Sequence, residues 1–165
     1  MFMARRPLYP SWMRALGVDY GLRRIGLALS DPSGMLARPW KTIARTGNPT
    51  QVARAIAAEV QQLEDEGEAV GVIVLGYPRR LSGEANEQTA GVEALAVQIR
   101  SVIPLPLALQ DERLSSREAE SLLARREKDW RKRKAQLDAM AAAIILQDYL
   151  DANARKSAGP EDMDR

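Results

Sequence analysis

Apolar positions along the chain change period several times, and each change marks an element. Arg14–Asp19 and Ile25–Ser30 are short apolar segments separated by Tyr20-Gly21-Leu22-Arg23-Arg24. Asp31-Pro32-Ser33-Gly34 is a turn signal leading into a third segment that runs through Ile43. Three strands so closely spaced predict an antiparallel meander, and Pro39, which lacks an amide donor, predicts that the third lies at a sheet edge. Asn48-Pro49-Thr50 then opens a helix, because Val52, Ile56, Val60 and Leu63 recur at helical spacing up to about Gly67.

The run Ala69–Leu75 is apolar throughout, as expected of a central strand covered on both faces. A second helix is predicted over Glu87–Ser101 and a fifth strand over Leu105–Gln110. Ser115-Ser116-Arg117-Glu118 has the form of a capping box and predicts a helix toward Arg126; a last, Ala-rich helix is expected over about Lys134–Asp151. The order βββαβαβαα implies an α/β fold, a mixed five-stranded sheet flanked by helices. Residues 1–12, with two prolines and no period, read as a loose arm, and Met13 is a second candidate start. Residues 13–152 read as one domain and 153–165 as a disordered tail.

The 165 residues suit one domain and one catalytic cleft. Neither cysteine nor histidine occurs, which excludes thiol nucleophiles, disulfides, cysteine- or histidine-ligated zinc and every mechanism with an imidazole base. Acid–base work falls to carboxylates, Lys, Tyr or a metal-activated water. Lys and Arg number 24 against 22 acids, a net charge of +2, so attraction for a polyanion must come from local clusters. No apolar run of membrane-spanning length occurs, and the chain reads as cytoplasmic.

Four acids at three places stand where elements end or face a core. Asp19 closes the first strand ahead of Gly21; an ordinary turn aspartate looks the same locally. Asp111 and Glu112 follow the fifth strand, and because side chains alternate along a strand only one should enter a cleft; Glu112 is favoured, with Asp111 in reserve. Asp138 shares a helix face with Ala141, Ala142 and Ile145, unless it merely complements a helix dipole. Converging, these acids would suit a hard cation with oxygen ligands, and two such ions about 3.5–4 Å apart would serve phosphodiester cleavage.

Basic residues surround them. The run Arg125, Arg126, Lys128, Trp130, Arg131, Lys132, Arg133 and Lys134 is interrupted by two acids and carries an aromatic ring able to stack on a base. Arg23, Arg24, Arg79, Arg80 and Arg113 fall in predicted loops close to the acids. The loop Gly76-Tyr77-Pro78 onward leaves the central strand at the end where α/β proteins bind ligands.

Together GVDYGLRRIGLALSDPSG, VIVLGYPRRLSGE, QDERLSSREAE and LDAMAAAIILQDYL resemble the YqgF/RuvX family, Holliday-junction-resolvase-like proteins of RNase H-like fold, over about Arg14–Leu150. The resemblance implies a nuclease dependent on Mg²⁺ or Mn²⁺, acting in maturation of the 16S rRNA 5′ end. Asp19 would be the principal carboxylate and Glu112 and Asp138 further metal ligands. It also implies nucleic-acid partners: RNA, single-stranded or branched DNA, a pre-ribosomal particle. A monomer or weak dimer is expected. Arg79-Arg80-Leu81-Ser82-Gly83 departs from the family, where an asparagine and an acid commonly follow the G-x-P motif. Competing readings are a junction resolvase, a non-catalytic rRNA-binding assembly factor, and an actin-like ATPase or sugar kinase, whose second lobe this length does not supply.

Overall fold

The computed structural model describes residues 13–78, 87–112 and 130–157, with side chains over 13–78, 88–112 and 136–154. Five strands form one sheet: β1 (Arg14–Tyr20), β2 (Arg24–Ser30), β3 (Ala37–Ala44), β4 (Val70–Tyr77) and β5 (Leu107–Asp111). Their order is β3-β2-β1-β4-β5, with β1–β2 and β2–β3 antiparallel and β1–β4 and β4–β5 parallel. The expected meander and mixed sheet are both present. Pro39 lies in edge strand β3, beside a register shift opposite Leu27 and Ala28.

Two apolar layers enclose the sheet. Helices α1 (Pro49–Asp65) and α2 (Glu87–Val102) cover one face, where Val52, Ile56, Val60 and Leu63 pack with Leu95 and Ile99 on Leu16, Val18, Ile73 and Leu75. Helix α3 (Trp130–Ser157) covers the other through Ala142, Ile145 and Leu146, against Ala15, Ala28, Val72 and Val74. Strand alternation therefore sends Ala15 and Gly17 toward α3, and Leu16 and Val18 away from it. Asn48 caps α1 by accepting the Gln51 amide at 2.9 Å while Gln51 Oε1 accepts the Asn48 amide at 2.8 Å, a reciprocal pair that fixes where the helix starts.

The last helix differs from expectation. It begins at Trp130 rather than Lys134 and continues to Ser157 rather than Asp151, so the predicted tail starts inside a helix. Polarity at Asn153–Lys156 suggests a frayed end, but polarity governs exposure; Ala, Arg and Lys are good helix formers, and no breaker appears before Gly159-Pro160. Strand β5 starts two residues later than expected, after Pro106, whose carbonyl accepts from the Ile73 amide at 2.9 Å. The helix expected from Ser115 lies outside the described residues. Among the described residues no helix is long and apolar enough to cross a membrane.

Candidate active site

The parallel pairing of β1, β4 and β5 brings their C-terminal ends to one edge of the sheet. Val18 lies beside Leu75, and Gly76 and Tyr77 lie beside Gln110 and Asp111. Asp19 stands at that edge on the α3 side, continuing the alternation of Ala15 and Gly17. Along β5, Leu107 packs toward α1 and α2, and Ala108 toward α3. The same alternation puts Asp111 on the far side and Glu112 on the side of Asp19. Glu112 Oε2 lies only 2.5 Å from where a side chain at Gly76 would begin, and the Glu112 amide donates to the Tyr77 carbonyl at 3.2 Å.

Asp138 arrives from α3 because the strand position beneath it, Gly26, has no side chain to keep the helix away. Gly26 is the register partner of Asp19, and a Cβ there would fall 1.8 Å from the Asp138 carbonyl oxygen. At Gly17 it would fall 2.8 Å from Leu146 Cβ, and at Gly76 2.7 Å from Ile145 Cδ1. The helix thus lies on a glycine floor, and its backbone at Asp138 rests on the strand beside Asp19. Since α3 starts at Trp130, Asp138 sits about two turns inside it. The helix dipole, felt mainly in the first turn, does not account for an acid there.

The electrostatics follow from crowding. Burial, then the charge of Asp138, push the Asp19 carboxyl up to about 6, against a lowering by its hydrogen bond with Glu112. Burial, then the charge of Asp19 and the shared hydrogen bond, push Glu112 up to about 8. Both shifts favour a proton on this hydrogen-bonded pair, and the bond itself lowers Asp19 and raises Glu112. Asp138 is ion-paired: Arg24 Nε donates to its Oδ2 at 3.0 Å. Among the described residues no three acidic side chains stand together closely enough to hold an ion. Asp19 is the middle member, touching Glu112 and feeling the charge of Asp138.

Arg45 is a member of this edge that the hydrophobic pattern does not reveal. Its guanidinium lies 3.9 Å over the Tyr20 ring and donates to the Gly21 carbonyl at 3.0 Å, while its amide donates to the Arg23 carbonyl at 3.1 Å. One side chain from the β3–α1 connection so pins the turn that follows Asp19. No local signal marks it, because the contact spans more than twenty residues of sequence.

Of the basic residues, Arg23 is exposed on the turn and Arg24 is committed to Asp138. Trp130, Arg131, Lys132, Arg133 and Lys134 form the first turns of α3 rather than a linker, with only their backbone described. Arg79, Arg80, Arg113, Arg125, Arg126 and Lys128 lie outside the described residues. A cleft of about 270 Å³ lined by Arg14, Ser30, Asp31, Arg38 and Trp40 lies at the opposite ends of β1 and β2 and shares no residue with the acids.

With this geometry in view, the comparison with known families is decisive: the profile described as "RuvX: Holliday junction resolvase" matches residues 13–152. The chain belongs to the RuvX family. Its relatives include a "Putative pre-16S rRNA nuclease" of Nocardioides sp., 41% identical and aligned over 88% of this chain and 92% of the relative. Proteins of the same name from Pelotomaculum thermopropionicum and Maridesulfovibrio salexigens are 37% and 41% identical, over 87% and 84% of this chain and 90% and 98% of theirs. Among solved structures, Thermus thermophilus RuvC superposes with a TM-score of 0.51 at 14% identity, covering 87% of this chain and 97% of that one. That likeness bears on the fold, which is RNase H-like in this RuvX chain as in RuvC.

Proposed function

We propose that this chain is a divalent-cation-dependent nuclease that hydrolyses phosphodiester bonds of RNA, with the 5′ end of precursor 16S rRNA as its substrate. The observation that carries this reading is the part-buried pair of carboxyls, Asp19 and Glu112, hydrogen-bonded to each other at the sheet edge, with Asp138 near enough to act on Asp19 by its charge. Carboxylates crowded together and partly withdrawn from water repel one another, and either a proton or a bound cation relieves this. A donor set of carboxylate oxygens alone suits a hard ion such as Mg²⁺ or Mn²⁺, so the residues fit the cofactor that the RuvX family implies. Asp19 and Glu112 would hold it, with Asp138 as a further ligand.

Such an ion supplies Lewis-acid stabilisation of phosphoryl charge and activation of water. The chain's own residues do the rest. Glu112 would hold the ion as the carboxylate, its proton passing to solvent, while Arg45 and Gly21 hold the Asp19 turn and Gly26 keeps the Asp138 backbone against β2. The relatives' name as pre-16S rRNA nucleases supports RNA as the substrate. The family description supports a second reading, cleavage of branched DNA, which would require two such sites related by dimer symmetry.

Labelled single-stranded RNA, single-stranded DNA and a four-way junction, incubated with wild type and Asp19→Asn in Mg²⁺, Mn²⁺ or EDTA, test both readings. The expected result is cation-dependent cutting of RNA that falls at least about a hundredfold in the variant, as loss of a principal electrostatic group commonly produces. Cutting that is equal in the two proteins would overturn the nuclease reading and favour a factor that only binds rRNA.

A further inference from the structure

Asp138 acts on Asp19 through its charge, and its own carboxylate is paired with Arg24. The Nε–Oδ2 distance is 3.0 Å, and the two side chains are 36% and 24% exposed, open enough for either to change partner. The two backbones are less free. Arg24 stands two residues before Gly26 on β2, and the Asp138 carbonyl lies against Gly26, so strand and helix are fixed where these side chains leave them.

We infer that Arg24 is a positioning residue that serves as the counter-ion of Asp138 in the cation-free protein. There it is exchanged for the divalent cation and released to bind a phosphate of the nucleic-acid strand. The inference rests on the cation-dependent nuclease reading and adds to it how cation and substrate binding are linked. A lone pair engaged by a guanidinium N–H is not available to an ion, and a guanidinium and a divalent cation on one carboxylate repel. The planar fork that suits a carboxylate suits a phosphate equally well. Nucleic acid drawing Arg24 away therefore favours the cation, and by reciprocity the cation favours nucleic acid.

The experiment is Mn²⁺ binding to the full chain at pH 8, followed by electron paramagnetic resonance of the free ion, with and without a phosphorothioate oligoribonucleotide. Wild type should bind Mn²⁺ more tightly when the oligonucleotide is present. Arg24→Gln should bind it about fivefold more tightly in the absence of oligonucleotide, the scale of a partly exposed ion pair, and should lose most of the oligonucleotide effect. Arg24→Lys, which keeps the charge without the fork, should fall between. Unchanged or weaker Mn²⁺ binding by a folded Arg24→Gln would overturn the exchange. So would the absence of an oligonucleotide effect in wild type, a readout that needs no variant to fold. Failure of wild type to bind Mn²⁺, or binding that survives Asp19→Asn, would instead remove the cation site and the nuclease reading with it.

Discussion

Glu112 shows how an environment changes what a residue is. Its carboxyl ordinarily titrates near 4.5 and is raised here to about 8, so the folded protein holds a proton that the unfolded chain releases. The sign follows directly. A group whose folded pKa is raised contributes stability that is full below its unfolded value and is lost as pH rises through the folded one. The melting temperature of the cation-free protein should therefore fall between about pH 5 and pH 9 by more in wild type than in Glu112→Gln, which calorimetry would show. Mn²⁺ should oppose the fall, because binding expels the same proton, and its affinity should rise between pH 6 and pH 8. A wild-type profile identical to that of Glu112→Gln would mean that Glu112 is ionised throughout. Strand alternation favours one of Asp111 and Glu112 in advance, but it does not give a carboxyl its neighbours. Asp19 and Glu112 lie more than ninety residues apart in the chain and meet only through β4, which stands between their strands.

At the level of elements, close approach of α3 to the sheet decides whether Asp138 reaches the edge. Gly26→Ala would put a methyl group 1.8 Å from a backbone oxygen that no rotamer can move, so the helix must rise. We expect a loss of stability of about 1–3 kcal/mol, as overpacking in a close-packed interior produces, together with loss of cleavage and of Mn²⁺ affinity. Gly91→Ala provides the contrast: it lies within α2, its nearest neighbour would be Tyr20 Cε1 at 3.9 Å, and it should gain about 0.5–1 kcal/mol from helix propensity. Urea unfolding of the two variants beside wild type separates the effects. Apolar period alone places the α1 face at Val52, Ile56, Val60 and Leu63, since amphipathic spacing and burial are the same information. It misplaces both ends of α3, where the helix continues through charged residues that the apolar pattern does not follow. The role of the glycine floor is equally silent in the sequence, because a missing side chain has meaning only when something rests on it.

Across the whole molecule, balanced charge makes nucleic-acid affinity a matter of placement. With a net charge of only +2, binding should depend on the basic residues at the start of α3 and on the Asp19 turn. Replacing Arg131 and Arg133 by Gln should weaken binding of RNA and DNA alike, and should reduce the slope of log affinity against log salt by roughly 0.7 for each single-strand phosphate no longer neutralised. Fluorescence anisotropy over a salt series measures this; unchanged slopes would place the binding track elsewhere. The chemistry, by contrast, is bounded by composition: a chain with no histidine and no cysteine leaves acid–base work to carboxylates, Lys, Tyr or a metal-activated water. Fold class, strand order along the chain, the edge position of Pro39 and the identities of three candidate acids are all local or periodic properties, and these the chain announces one residue after another. Which acid pairs with which, the commitment of Arg24 to Asp138, the pinning of the turn by Arg45 and the hydrogen bond between Asp19 and Glu112 are properties of separation in space. They arise only when parallel strands and a helix on a glycine floor bring distant positions within a few ångströms, because Coulomb interaction and desolvation depend on distance and burial, not on order along the chain.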